Sequence, residues 1–183
     1  EFAADPAAVD DATLEETAYR LSDVGSPNRT LNVSAAGQTR QVTVSNERRA
    51  YNRTVTVVPG VEGDFARFAV YTTPAVSVAG QSINPVGDWS NGRLVRQLVE
   101  STSGLSAIDF ASNRSVEFLG AERTVSTFTA TQSVGGMETN VTIHLTSAEH
   151  EGDYVIATTV HPERVNEQSR VDALLRGLEH PAA

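Results

Sequence analysis

Histidine is the side chain whose spacing bears most directly on chemistry here, because the 183-residue chain carries four of them and no cysteine. They stand at His144, His150, His161 and His180. An imidazole can ligate a metal, carry a proton or activate a nucleophile, but each task needs companions that the backbone brings together. No two of the four share the i, i+4 spacing of a helix face or the i, i+2 spacing of a strand face. His144 falls on the wet face of an expected strand, and His161 and His180 each precede a proline. Glu149-His150-Glu151 has the composition of a chelate, yet successive side chains in a tight turn diverge, so it reads as a solvated turn. Sixteen serines occur without a Gly-x-Ser-x-Gly elbow, and the missing cysteine removes thiol nucleophiles and thiolate ligands. Calcium-loop and Gly-x-Gly-x-x-Gly patterns are absent as well. The paired carboxylates Asp10-Asp11 and Glu15-Glu16 are explained by helix capping. The chain is therefore expected to have no catalytic residue, no metal ligand and no cofactor.

Two groups of residues remain as candidates for recognition. One is the stretch Thr73 to Gly80 followed by Asn84-Pro85-Val86-Gly87-Asp88-Trp89-Ser90, which holds the single tryptophan. Its plain reading is a shaped connection in which Pro85 and Gly87 bend the chain, Asp88 or Ser90 caps a helix, and Trp89 staples it. Its functional reading is a binding ledge, with a half-exposed Trp89 indole beside Asn84 and Asp88. The other group is five N-x-Ser/Thr triplets, headed by Asn28, Asn32, Asn52, Asn113 and Asn140. Nine asparagines among 35 serines and threonines would give roughly two such triplets by chance. The excess points to glycosylation and hence to an extracytoplasmic chain, though Asn and Thr alternating along exposed strands would produce the same triplets.

The elements that must position these residues are read from periodicity. A first helix is expected over 11–21, capped by Asp10 or Asp11, with Leu14, Ala18 and Leu21 on one face and Gly25-Ser26-Pro27 as its stop. Strands follow at Arg29–Ser34 and Gln38–Ser45 around a turn at Gly37, then at 50–58 and 65–73 around Pro59-Gly60. The stretch 75–87 reads as extended. A second helix starts near Ser90, with Leu94, Val95, Leu98 and Val99 as its apolar face and Ser103-Gly104 as its end. Gly135-Gly136 marks a hairpin that pairs Val134 with Met137. That register sets Phe128 against Ile143 and Ala130 against Val141 on an apolar face, and Thr129 against Thr142 and Thr127 against His144 on a wet one. A second hairpin through 149–152 pairs Ala148 with Asp153, Leu145 with Ile156 and Val141 with Val160. A last helix carries Val171, Leu174, Leu175 and Leu178 toward the meander's apolar face, and Pro181 bars its continuation.

Composition bounds what such a fold can do. Leu, Ile, Val and Phe number 44 of 183, enough for a core that leans on 23 valines. No apolar run reaches the ~20 residues of a membrane span. The net charge is −9, with 14 arginines and no lysine, where ordinary usage would give on the order of ten lysines. GC-rich coding explains the missing lysine but not the acid excess. Adaptation to concentrated salt explains both, because the Debye length falls to about 3 Å at 1 M and like charges stop repelling. The acidity also argues against nucleic acid as a partner.

The opening Glu1-Phe2-Ala3-Ala4-Asp5-Pro6-Ala7-Ala8-Val9, the Leu14-Glu15-Glu16-Thr17-x-Tyr19 helix, the Thr73-Pro74 to Asp88 stretch and the closing Leu174-Leu175-Arg176-Gly177-Leu178-Glu179-His180 carry a resemblance. On them the chain resembles an uncharacterised family of haloarchaeal secreted proteins, many of them predicted lipoproteins. The resemblance covers nearly the whole chain. It implies a signal segment and a lipid-bearing cysteine upstream of Glu1, and so a membrane contact through that anchor alone. It implies no substrate. More distantly, the order of elements looks like PsbP-like α/β sandwiches. The expected fold is therefore one α+β domain over 1–183. It has a single antiparallel sheet of about six to eight strands and two or three helices packed mainly on one face. The expected function is a non-enzymatic, halophilic cell-surface domain, secreted or anchored, that binds or spaces envelope components or self-associates in an assembly. A small-ligand carrier with a cleft between sheet and helices comes second, and a hydrolase with a dispersed site third.

Overall fold

The computed structural model describes residues 2–35, 38–78, 81, 82, 84–100, 104–134 and 137–182. The expected turn at Gly37, the Ala79-Gly80 stretch, the helix end at Ser103 and the Gly135-Gly136 turn lie outside the described residues. In chain order the elements open with β1 (Phe2–Ala3), β2 (Ala8–Val9), α1 (Asp11–Thr17), β3 (Arg20–Gly25), β4 (Asn28–Ala35) and β5 (Gln38–Ser45). They continue with β6 (Glu47–Val58), β7 (Val61–Pro74), β8 (Ser77–Val78), β9 (Gln81–Ser82), a 3-10 turn (Pro85–Asp88) and α2 (Asn91–Glu100). The last are β10 (Leu105–Phe118), β11 (Ala121–Val134), β12 (Met137–His150), β13 (Asp153–Pro162), α3 (Gln168–Arg176) and β14 (Leu178–Glu179). A seven-stranded antiparallel sheet runs in the order β10-β11-β12-β13-β7-β6-β3. The expected single sheet is corrected: β1, β5 and β4 form a second one, and β14 with β2 and β8 with β9 form two small ones.

Two meanders meet at the β13–β7 ladder, and tight turns build them. Leu119-Gly120 and Glu151-Gly152 both hold two residues at positive φ (52° and 75°, 49° and 87°), the conformation that matches the twist of a two-residue hairpin. The Leu119-Gly120 turn folds β10, a 14-residue strand that periodicity did not suggest, against β11. In the β11–β12 hairpin the expected register holds at every pair, including Phe128 with Ile143 and Thr127 with His144. The next hairpin is corrected by two residues. Because Glu151-Gly152 alone makes the turn, His150 pairs with Asp153, Ala148 with Val155 and Ile143 with Val160. A shift of two leaves each residue on its expected face, since strand side chains alternate with period two.

The expected wet face is buried at His144, half-buried at Thr127 and Thr142, and exposed at Thr129. Val141, Ile143 and Leu145 face one side of β12, where Leu94 and Val95 of α2 cover them. His144, Thr146 and Ala148 face the other, and all three are buried too. Here α3 lays Val171, Leu174 and Leu175 over Phe68, Val70, Val125 and Val155. The last helix thus packs on the face opposite to the expected one, because α2 has occupied the apolar face and the strands beside β12 supply apolar side chains on both. The helices divide between the two faces, with α1 beside α3.

Local chemistry sets the ends of α1 and α3. Asp10 caps α1, its carboxylate accepting from Thr13 N at 2.8 Å and from Thr13 Oγ1 at 2.7 Å. The helix stops at Thr17, not at 21: Ala18 turns left-handed (φ 59°) and Tyr19, 1% exposed, anchors the chain as it enters β3. Leu178 is likewise not helical; it sits in β14, paired with Val9. Between α3 and β14, Gly177 meets the α1 cap so closely that a Cβ there would collide with Thr13 Oγ1 and Asp10 Oδ2. Gly177→Ala is expected to cost about 1–3 kcal/mol, the usual range for overpacking, seen as a lower urea midpoint. An unchanged midpoint would mean that the α1 cap and the end of α3 are not locked together.

Candidate functional site

The residues of the expected ledge do not converge. Asn84 is buried, and its Nδ2 donates to Thr73 Oγ1 (2.9 Å) and to the Pro74 carbonyl (2.8 Å). Its Oδ1 accepts from Val86 N, so the side chain closes the 3-10 turn. Asp88 is exposed, and Trp89 is half-buried with the Arg93 guanidinium 4.6 Å over its ring. Of the asparagines heading the triplets, Asn28, Asn32, Asn113 and Asn140 are exposed. Asn52 is half-buried in β6, with Oδ1 closed off from solvent and without a partner among the described residues.

All four histidines find one another. His144 and His161 lie diagonally across the β12–β13 ladder, since His161 pairs with Thr142. Their Nε2 atoms are 3.1 Å apart and their rings stack at 19°. The expected register, two residues from the observed one, would have set His161 against Asn140, out of reach of His144, which is why sequence spacing concealed the pair. The proton positions follow from the neighbours. Arg114 Nη1 lies 3.0 Å from His144 Nδ1 and can only donate, so that nitrogen accepts. His144 Nε2–H then donates to His161 Nε2, and His161 Nδ1–H donates to the Pro162 carbonyl at 3.0 Å. Arg114 itself is held by Asp172 of α3 (2.6 Å and 2.9 Å) and donates to Thr127 Oγ1. None of the four ring nitrogens is left as a free base.

Beside this chain stands Glu167, fully buried at the entry to α3. Its carboxylate accepts from the Tyr19 hydroxyl (3.1 Å) and from Arg53, with Arg170 at 3.6 Å. Burial, reinforced by the Glu167 charge, pushes the Tyr19 phenol above its ordinary range. The second histidine pair is His150 with His180, Nδ1 to Nδ1 at 3.2 Å. His180 Nε2 lies 3.1 Å from Asp153 Oδ2, which also accepts from Asp5 N. Among the described residues no three His, Asp or Glu side chains are placed to share a metal ion.

Open surface gathers elsewhere, where the central sheet splits. β13 leaves β7 after the pair Val160–Arg67, while β7 starts six residues earlier, at Val61. The same strand leaves β12 after Val141–Pro162, while β12 starts at Met137. Pro162 has no N–H with which to continue a ladder, and the chain turns off toward α3. The notch left behind is a cleft of about 450 Å³. Val57, Val58, Val61 and Phe65 of the β6–β7 hairpin form one wall, Met137 and Val141 the other, and Pro162 the floor. Glu138, Glu163 and Arg164 stand among its polar lining. Val58, Val61 and Met137 are 39%, 47% and 73% exposed, although large and apolar.

Acid should loosen this fold through the buried imidazoles. Burial, then the Arg114 and His161 charges, pull His144 down to about 3 from the ordinary 6.5, and burial lowers His161 too. The unfolded chain protonates both near 6.5 while the folded chain does not, so between the two values the unfolded state binds more protons. Stability is full above about pH 6.5 and falls as the pH drops toward 3, by roughly 1.4 kcal/mol per pH unit for His144, with a contribution of the same sign from His161. Urea midpoints between pH 7.5 and 4.5 measure it, and His144→Gln should remove one imidazole's share of the slope. Identical slopes in the two proteins would show that His144 takes no part.

None of the curated proteins matches the chain. A family described as Domain of unknown function (DUF6517) does, over residues 6–179, a span that takes in both helix-covered faces and the notch. The chain is a member of that family.

Proposed function

We propose that this is a non-enzymatic binding domain of an extracytoplasmic surface in strong salt, and that the notch between β7 and β12 grips an apolar part of another envelope component. The observation that carries the reading is the meeting of Val58, Val61 and Met137, exposed and apolar, from two hairpins at one cleft. Leaving such surface in water forgoes about 25 cal/mol per Å², which a partner would recover. A volume near 450 Å³ also falls within the range of ligand clefts. In molar salt, charge selects partners only at contact, so shape and apolar area do more of the work. The exposed Asn28, Asn32, Asn113 and Asn140 are in keeping with a glycan-bearing outer surface. The histidine chains, closed on themselves, fit a structural role better than a catalytic one.

An environment-sensitive apolar dye, titrated in molar KCl, tests the site. Val61→Asp and Met137→Asp should each weaken dye binding about tenfold or more while leaving the thermal midpoint nearly unchanged, since both residues are exposed. Leu21→Asp, on the exposed far edge of the sheet in β3, should leave binding intact. Equal losses in all three variants, or none in the first two, would remove the notch as the binding site.

A further inference from the structure

We infer that the occupant of the notch is a short extended peptide segment, which enters as a strand between β12 and β7 and hydrogen-bonds to both. This rests on reading the notch as the binding site, and it names the class of ligand. The ladders carry the argument. Among the described residues, β7 is paired from Val61 to Ala66 with β6 alone, and β12 from Met137 to Asn140 with β11 alone. Each therefore turns a row of backbone N–H and C=O groups toward the space that β13 vacates. Such rows are templates for an added strand, and an apolar small molecule would leave them unpaired. One group is already engaged, the Asn140 carbonyl, which accepts from Glu163 N at 3.0 Å. Successive residues of a strand point to opposite sides, so what remains facing the notch is Glu138 and the Asn140 N–H on β12 and alternate residues of Val61–Ala66 on β7.

Direction and side-chain pattern follow. β13 is antiparallel to both neighbours, so a segment prolonging its course is antiparallel to both as well. Six residues of β7 span about 20 Å at strand rise, which suits an occupant of about four to six residues. Alternate side chains of the occupant would be apolar, to meet Phe65 and Val141 in the cleft. The lining holds two acids, Glu138 and Glu163, against one base, Arg164, so a basic residue beside the apolar ones complements it. In this respect the notch differs from the outer edges β3 and β10, each of which offers one row of groups rather than two.

Successive amides of a strand point to opposite sides, so insertion between two edges uses both alternate sets. The probe is a dye-labelled seven-residue peptide of alternating Val and Thr with Arg at each end, in molar KCl. Two derivatives carry N-methyl groups on one alternate set of amides or on the other. Each derivative should bind roughly tenfold more weakly than the parent, the worth of one or two lost backbone hydrogen bonds. The parent should also slow amide hydrogen exchange at Glu138 and Asn140 and at alternate residues of Val61–Ala66. A loss confined to one derivative would overturn two-sided insertion in favour of pairing with a single edge. No loss in either would overturn strand pairing altogether. If the dye of the preceding test binds at the notch and the peptide does not, the extended-segment inference falls and the apolar notch stands. If neither binds, both fall.

Discussion

The strands at the middle of the sheet are covered on both faces, and most of the molecule answers to that constraint. α2 lies over Val141, Ile143 and Leu145, and α3 lies over the side that carries His144, Thr146 and Ala148. A polar group shut under a helix without a partner costs about 1–3 kcal/mol, so the groups beneath α3 must satisfy one another. They do so in one direction. Arg114, tied to Asp172 of the helix itself, donates to His144, which donates to His161, which donates to the Pro162 carbonyl. The helix is thereby joined to the sheet by charge-assisted bonds as well as by Val171, Leu174 and Leu175. Such a chain also selects neutral imidazoles, because a proton at His144 Nδ1 would confront the guanidinium.

A second buried group does for the edge of the sheet what the histidines do for its centre. Glu167, just ahead of α3, accepts from Tyr19, immediately before β3, and from Arg53 of β6. A buried carboxylate is tolerable only when paired and hydrogen-bonded. The need to bring Tyr19 to it explains why α1 gives way at Ala18 and the chain turns into a strand. The first helix and the last are consequently tied at two points, by the Tyr19–Glu167 bond and by the contact of Gly177 with the Asp10 cap.

Pro162 links the buried chain to the open surface. Its carbonyl ends the relay from Arg114, and its missing N–H ends the ladder with β7. One residue therefore closes the polar interior and opens the notch, and any occupant of the notch would rest against the terminus of the histidine chain. The acidity of the chain has a smaller part in this arrangement. The walls of the notch are mainly apolar, its charged residues act only at contact, and the groups beneath α3 are paired, so in strong salt neither depends on long-range charge.

Turn chemistry and side-chain alternation were legible because they act over a few residues. The β11–β12 register, the Pro59-Gly60 turn, the Asp10 cap and the start of α2 all follow from them. The β12–β13 register was legible only to within two residues, and those two residues hid the pair of His144 with His161, which the observed register sets on a diagonal, whereas the pair of His150 with His180 depends on the return of the chain after α3. β10 was missed because its side chains are mostly exposed and leave no alternating signal. By itself, then, the sequence determined the β6–β7 and β11–β12 hairpins, the Asp10 cap, an acidic composition and a valine-rich core, since each depends on near neighbours or on composition. Tertiary structure decided which helix covers which face, which histidines meet, and where the sheet splits. Those outcomes depend on segments far apart in the chain that compete for the same surface, and only packing settles that competition.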